Sequence, residues 1–356
     1  MKILVTGGAG YVGSVVAEEL IKQGYQVLVL DNLQQGHKQA VPEGAEFVMA
    51  DICDAASLND VFHHYCLDAV MHLAAESTVE YSLTDPGRYF WNNVIGGLHL
   101  LETMRRHQVD KLIFSSSAAV YGEPKAIPIE ESHPRLPVNA YGESKLMFER
   151  ILDWYGRAYG LKYISLRYFN AAGASKFLGE DHHPETHLIP NVLKVALSTK
   201  ELELGLRYKS SAPGPRPSGT KEPGVFSVFG SDYPTKDGTS IRDYIHVMDI
   251  AQAHILALTN LQSSTPNSQS SINTTYNLGN GEGYSVLEVI ETASKVAGTD
   301  IPTKVCARRV GDPAVLVASA SLAKVELGWE PEFSKLESII ESAWIWMKEH
   351  PEGYAE

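Results

Sequence analysis

The sequence predicts an α/β protein: a Rossmann-type doubly wound parallel sheet followed by a smaller, mixed α/β C-terminal substrate domain. Two observations predict the sheet and a third predicts the second domain. Short apolar, β-branched runs alternate with helical segments from residue 2 to about residue 170. The first of these runs breaks into a glycine-rich loop that opens a helix. Beyond it, helices mix with short strands and with connections rich in Pro, Gly and Ser. The division falls at 1–172 and 173–356, with later segments free to return to the first domain.

Lys2 to Thr6 reads as a buried strand. Gly7-Gly8-Ala9-Gly10-Tyr11-Val12-Gly13 follows, then a helical stretch from Val12 to Gln23 that Gly24 ends. Gln26 to Leu30 is a second strand, closing on Asp31-Asn32. Within this βαβ unit the glycines satisfy both G-x-G-x-x-G and G-x-x-G-x-x-G. Glycines let backbone approach a pyrophosphate closely, and the helix N-terminus presents amide donors and a positive dipole end. Gly7, Gly10, Tyr11, Val12 and Gly13 are therefore placed at a dinucleotide. Asp31 lies 18 residues past Gly13 (31 − 13), close to the roughly 20 expected of a carboxylate on a ribose 2′-hydroxyl. A carboxylate there repels a 2′-phosphate, which favours NAD over NADP. Asn32 sits beside it.

Further strands are predicted at Glu46 to Met49, ending Asp51-Ile52, and at Ala69 to Leu73, ending Ala74-Ala75. Strand C-terminal ends line the ligand crevice of such a sheet. Asp51 reads equally as a residue flanking the adenine, with Ile52, or as a helix N-cap; Leu73, Ala74 and Ala75 leave room for a cofactor. Pro86 to His107 is predicted as one long helix containing Asn92-Asn93, and Lys111 to Phe114 as a strand delivering Ser115-Ser116-Ser117. Residues 140 to 159 form the next helix, in which Tyr141 and Lys145, four apart, share a face. Such a pair is usually a surface pair. Here it follows a nucleotide loop and a serine-rich strand end. Lys162 to Phe169 then gives a strand closing on Arg167-Tyr168-Phe169-Asn170.

In the second half, helices are predicted at Leu188 to Ser198, Val247 to Asn260, Ser285 to Ala297 and Leu336 to Lys348, with strands at Val225 to Phe229, Ser240 to Ile245 and Tyr276 to Leu278. Residues 209–224 and 261–274 read as polar insertion loops.

A net charge of −13 shows no basic footprint for nucleic acid, so any anionic ligand must be held by local Arg or Lys. Three scattered cysteines (Cys53, Cys66, Cys306) point to a reducing compartment, and no apolar run approaches membrane-spanning length. A cytoplasmic protein is the expectation.

Thr6 to Ser14, Ser115 to Gly122, the Tyr141/Lys145 pair and Arg167-Tyr168-Phe169-Asn170 resemble the extended short-chain dehydrogenase/reductase superfamily. Gly238-Thr239-Ser240-Ile241-Arg242-Asp243-Tyr244-Ile245-His246-Val247 and Arg308 to Asp312 are similar to its UDP-glucose 4-epimerase family. That resemblance runs from Met1 to the final helix. It implies tightly bound NAD, with Ser115 and Tyr168 among its contacts and Asn92 at the same site. It also implies catalysis by Ser117, Tyr141 and Lys145: Tyr141 takes the proton of the sugar 4-hydroxyl while hydride leaves C4, and Ser117 relays it. Bringing a phenol near pH 7 needs roughly three pKa units, about 4 kcal/mol. One opposite charge supplies only about one to three units. Lys145 alone is marginal, and the positive nicotinamide is expected to supply the remainder.

For the UDP-sugar, the resemblance implies Arg242 and Arg309 on the diphosphate, Asp312 on the uridine ribose, Val228 and Phe229 around the uracil, and Asn170 near the sugar. His187 and Leu188 lie beside the phosphates, His187 in place of a frequent Asn. Ser77 stands where many relatives carry a cofactor-contacting Lys. Leu316 falls at the position whose bulk decides whether an N-acetylated sugar enters. The expected reaction is reversible C4 epimerisation of UDP-glucose and UDP-galactose. Epimerisation of UDP-N-acetylglucosamine or UDP-glucuronate, and a non-catalytic NAD-binding homologue, are the alternatives. Ala118 and Ala119 lack the acid/base groups that related dehydratases and decarboxylases carry there. The His182-His183-Pro184-Glu185-Thr186-His187 run lacks H-E-x-x-H and any nearby cysteine, so no metal is expected. By resemblance, the two long helices pair across a two-fold axis as a homodimer.

Overall fold

The computed structural model describes residues 1–203, 224–263, 273–309 and 312–354. The expected loops at 209–224 and 261–274 lie largely outside them. The chain begins with β1 (Lys2–Thr6), α1 (Tyr11–Lys22), β2 (Gln26–Asp31), β3 (Glu46–Met49), α2 (Ala55–His64) and β4 (Ala69–His72). A short turn, α3 (Val79–Ser82), precedes α4 (Pro86–Tyr89), which runs through a π-helical segment (Phe90–Gly96) into α5 (Gly97–Arg106). Then come β5 (Lys111–Ser117), α6 (Ala140–Tyr159) and β6 (Lys162–Tyr168). The second half holds β7 (Asn170–Ala172), α7 (Leu188–Glu203), β8 (Phe226–Phe229), β9 (Ile241–Arg242), β10 (Tyr244–His246), α8 (Val247–Ser263) and β11 (Thr274–Leu278). It closes with β12 (Tyr284–Ser285), α9 (Val286–Ala297), β13 (Thr303–Cys306), β14 (Val315–Leu316), α10 (Ser321–Leu327) and α11 (Leu336–Glu349).

Seven parallel strands form the main sheet in the order β11-β6-β5-β4-β1-β2-β3. Successive strand residues point to opposite faces, so each apolar run feeds two cores. Ile3, Val5, Val29 and Met71 pack with Val16 and Leu20 of α1 and Ala251 and Leu258 of α8. Leu4, Leu28, Val70 and Phe114 pack on the other face with Phe62, Leu101, Phe148 and Leu152. A third core joins α7, α9 and α11 through Val192, Val289 and Ile339.

The order reverses between β1 and β4, the switch point where doubly wound sheets bind nucleotides. There the two strand ends touch: Leu73 N donates to Thr6 O at 3.0 Å. Gly7, at φ +72°, leaves no room for a side chain, since a Cβ would lie 2.5 Å from Ala74 N.

Two expectations change, and two readings gain detail. Later segments take part in the nucleotide sheet: β11 pairs with β6 and α8 packs on α1. The expected single helix from Pro86 to His107 carries the π segment. Its Asn93 is 3% exposed and accepts from Glu76 N at 2.8 Å while donating to Glu76 O at 3.0 Å and Ser144 Oγ at 2.9 Å. Those buried partners hold the widened turn, and Asn92 next to it lines the cavity described below. Ser115–Ser117 form the end of β5. The expected strand from Ser240 to Ile245 is divided at Asp243. This fully buried carboxylate accepts from Ala318, Asn280 and Gly281 backbone N–H groups at 2.8–3.0 Å, so β9 joins β12 and β14 while β10 joins β7.

Candidate active site

A cavity of about 1390 Å³ opens over the C-terminal ends of β1, β4 and β5. At its nucleotide end stand Gly7, Gly10, Tyr11, Val12 and Gly13, with Asp31 and Asn32 at the tip of β2 and Ile52, Leu73, Ala74 and Ala75 opposite. The loop is a cradle that a side chain would fill: a Cβ on Gly13 would sit 2.1 Å from Gly7 O. The free amides at the head of α1 suit a pyrophosphate. Asp31 Oδ2 accepts from Ala9 N at 3.0 Å and Oδ1 from Leu33 N at 2.8 Å. Burial raises its carboxyl above the ordinary value, while these backbone donors oppose that rise. This donor and acceptor set matches a dinucleotide with a free ribose 2′-hydroxyl.

Asp51 and Ser115 do not line the cavity among the described residues. Asp51 accepts from Asn32 Nδ2 at 3.0 Å and Cys53 N at 2.7 Å, and so positions Asn32; the N-cap of α2 is Asp54. Ser115 is 1% exposed, with Oγ 3.0 Å from His254 Nε2 and its carbonyl accepting from Lys145 Nζ at 2.8 Å.

Ser117, Tyr141, Lys145, Tyr168 and Asn92 all line the cavity. Asn139 caps α6 by accepting from Gly142 N at 2.8 Å, which fixes where the Tyr141 turn begins. Lys145 is 4% exposed, with Nζ 5.9 Å from the centre of the Tyr141 ring. Burial lowers the lysine to about 7, opposed by the charge of Glu149. Burial raises the Tyr141 phenol, opposed by its hydrogen bond with Ser117. Without a cofactor the phenol is thus held protonated.

Glu149 is a residue the sequence reading missed. One turn beyond Lys145, it is 5% exposed and clasps Arg167 of β6 through Nε–Oε1 at 2.8 Å and Nη2–Oε2 at 2.5 Å. Its Oε1 also accepts from Ser116 Oγ at 2.6 Å, and Arg167 donates to Tyr121 OH at 2.8 Å. The network ties the Tyr141 helix to both strands beneath it. A Glu nine residues past the start of a helix carries no local signal of burial.

At the far end the cavity is lined by Asn170, His187, Leu188, Phe229, Arg242, Arg309, Asp312 and Leu316, with Ser77, Ala118 and Ala119 also on its wall. Arg242 pairs directly with Asp312 and donates to Ile241 O at 2.7 Å. Arg309 lies over the Phe229 ring at 4.3 Å, and Asn170 Nδ2 donates to Asp243 O at 2.9 Å. Val228 is a correction: it is 1% exposed and packed in the core formed with α7 and α9, while its neighbours Ser227 and Phe229 reach the cavity.

Residues 3–279 match the NAD-dependent epimerase/dehydratase family. The chain belongs to this family. Among curated relatives, the UDP-glucose 4-epimerase of Halalkalibacterium halodurans is 49% identical over 357 aligned residues, covering 100% of this chain and 98% of that protein. A crystal structure of a UDP-glucose 4-epimerase superposes with a TM-score of 0.89 at 46% identity, covering 100% of both chains. The UDP-glucose 4-epimerase of Bifidobacterium longum, solved with NAD+ and UDP, gives 0.86 at 36% identity over 99% of this chain and 100% of that one. The family assignment agrees with the glycine cradle and the Ser-Tyr-Lys set on one cavity wall.

Proposed function

We propose that this chain catalyses reversible epimerisation at C4 of a UDP-hexose, with UDP-glucose and UDP-galactose as the main pair. The observation that carries the reading is a single cavity holding Ser117, Tyr141 and Lys145 between a dinucleotide cradle and the Arg242/Arg309 end, with alanines at 118 and 119. NAD, when bound, would supply a hydride acceptor for C4 and the donor for its return, so that a transient 4-keto sugar would form and be consumed. Gly7, Gly10 and Gly13 would hold its pyrophosphate and Asp31 its ribose. Tyr141 takes the 4-hydroxyl proton through Ser117 and returns it after the sugar has turned over. Ala118 and Ala119 offer no second acid or base, as expected when no bond beyond C4 is made or broken.

Arg242 and Arg309 are the guanidinium donors for the diphosphate. Ligand entry would exchange the Arg242–Asp312 pair for contacts to phosphate and ribose. Leu316 is intermediate in bulk, which supports preference for the unsubstituted hexoses with some tolerance of N-acetylated ones. The outer face of α6 and the π segment expose Trp154, Tyr159 and Trp91, which supports a homodimer through these helices. No described helix is long and apolar enough to cross a membrane, and the three cysteines are free; the cytoplasm is the proposed location.

Purified protein given UDP-galactose without added cofactor is expected to form UDP-glucose, and denaturing it to release NAD. Release of NADP, or conversion only after NAD is added, would overturn the bound-cofactor reading. Equal catalytic efficiency on N-acetylated UDP-hexoses would overturn the sugar preference. Asp31→Ser is expected to weaken NAD retention by about 10- to 100-fold, the loss of one charge-assisted hydrogen bond, and to let NADP compete. Titration of the refolded apoprotein with each dinucleotide reads this out; unchanged discrimination would show that Asp31 does not face the ribose.

A further inference from the structure

The segment leading into α7 carries Glu180, His182, Glu185 and His187, and the fold brings one ligand atom of each within 4.8 Å of the others. His187 Nδ1 lies 2.7 Å from Glu180 Oε1 and 2.9 Å from Glu185 Oε1. His182 Nδ1 lies 3.1 Å from Glu180 Oε1 and 4.0 Å from Glu185 Oε2. Glu185 is 3% exposed, and its Oε1 also accepts from the backbone N–H groups of Thr186 and His187, each at 2.8 Å. Its Oε2, turned toward His182, is buried and accepts no hydrogen bond among the described residues. A buried carboxylate oxygen without a donor is costly and calls for a positive partner.

Four nitrogen and oxygen ligands at 2.0–2.2 Å around a tetrahedral ion stand about 3.4 Å apart. The observed separations bracket that figure, so shifts of about 1 Å would seat an ion. Two carboxylates balance a dication, and two imidazoles with no thiolate suit a borderline transition metal better than magnesium, which demands six oxygens. We propose that Glu180, His182, Glu185 and His187 form a zinc-type divalent metal site that staples the segment before α7 to the cavity wall. The absence of H-E-x-x-H hid this in the sequence, because the ligands come from a loop folded back on itself rather than from one helical face. The neighbouring group of His37, Asp181 and His183 also gathers three ligand atoms, but none of them is a buried atom without a partner.

The test strips the NAD-loaded protein with chelator, then titrates it with zinc chloride at neutral pH, with metal content measured after gel filtration. Wild type is expected to take up about one zinc per chain, and Glu185→Gln and His182→Ala each to bind it at least tenfold more weakly. NAD retention verifies that each variant is folded. His182 is only partly buried, so that variant remains informative where Glu185→Gln disturbs the core. X-ray absorption of the zinc-loaded wild type is expected to show a first shell of two imidazoles and carboxylate oxygen. No stoichiometric zinc in wild type, or undiminished zinc in either folded variant, would overturn the proposal and leave a cluster held by protons alone.

Discussion

Tyr141→Phe is expected to lower conversion of UDP-galactose by about 10²- to 10⁴-fold, the usual weight of a positioned acid/base, with NAD still bound. The phenyl ring fills the same space, so the loss reports the hydroxyl alone. The geometry makes the dependence sharper than the motif implied. The phenol lies beside a lysine that burial has lowered to about 7, and burial pushes the phenol itself up. Burial thus works against ionisation of Tyr141, and the positive charge of the oxidised nicotinamide would favour its ionised form. The same logic couples activation of the base to the oxidation step that needs it. Steady-state rates with UDP-galactose, alongside NAD released on denaturation, test the claim. Activity within a few-fold of wild type would assign the proton to another group.

Glu149→Ala is expected to destabilise the protein by about 3–5 kcal/mol, the range for leaving one partner of a buried ion pair uncompensated. Arg167, at 2% exposure, would keep its charge with only the bond to the Tyr121 hydroxyl left of its three side-chain hydrogen bonds. The cost falls on the helix and strand that hold Ser117, Tyr141 and Lys145, since Glu149 also accepts from Ser116 and lies one turn from Lys145. Removing its negative charge would lower Lys145 further, because that charge now opposes the effect of burial. Denaturant unfolding of the wild type and the variant is the measurement. A loss under about 1 kcal/mol would mean that water reaches the pair and that the network does not anchor α6.

Some of this was readable residue by residue. The loop from Gly7 to Gly13 announces itself because only glycine tolerates the backbone contacts that the turn requires, as the 2.1 Å approach at Gly13 shows. Asp31 follows from its place at the tip of the second strand. The shared face of Tyr141 and Lys145 follows from helical spacing alone. Alternating apolar runs were enough for the parallel sheet, since each strand is buried on both faces and must be apolar along its length.

Other features depended on residues distant in the chain. Arg242 meets Asp312 across 70 positions, β11 completes a sheet begun at residue 2, and Asp243 divides a strand because three backbone donors from two later loops converge on it. Val228 looks eligible in sequence, yet tertiary packing buries it in the core while Ser227 beside it lines the cavity. Glu185 reads as one more acidic residue in a polar stretch until folding buries its second oxygen beside Glu180, His182 and His187. Local pattern encodes backbone conformation and which face is apolar. Which polar groups are buried together, and with what charge, is settled only when distant segments exclude water from the same space.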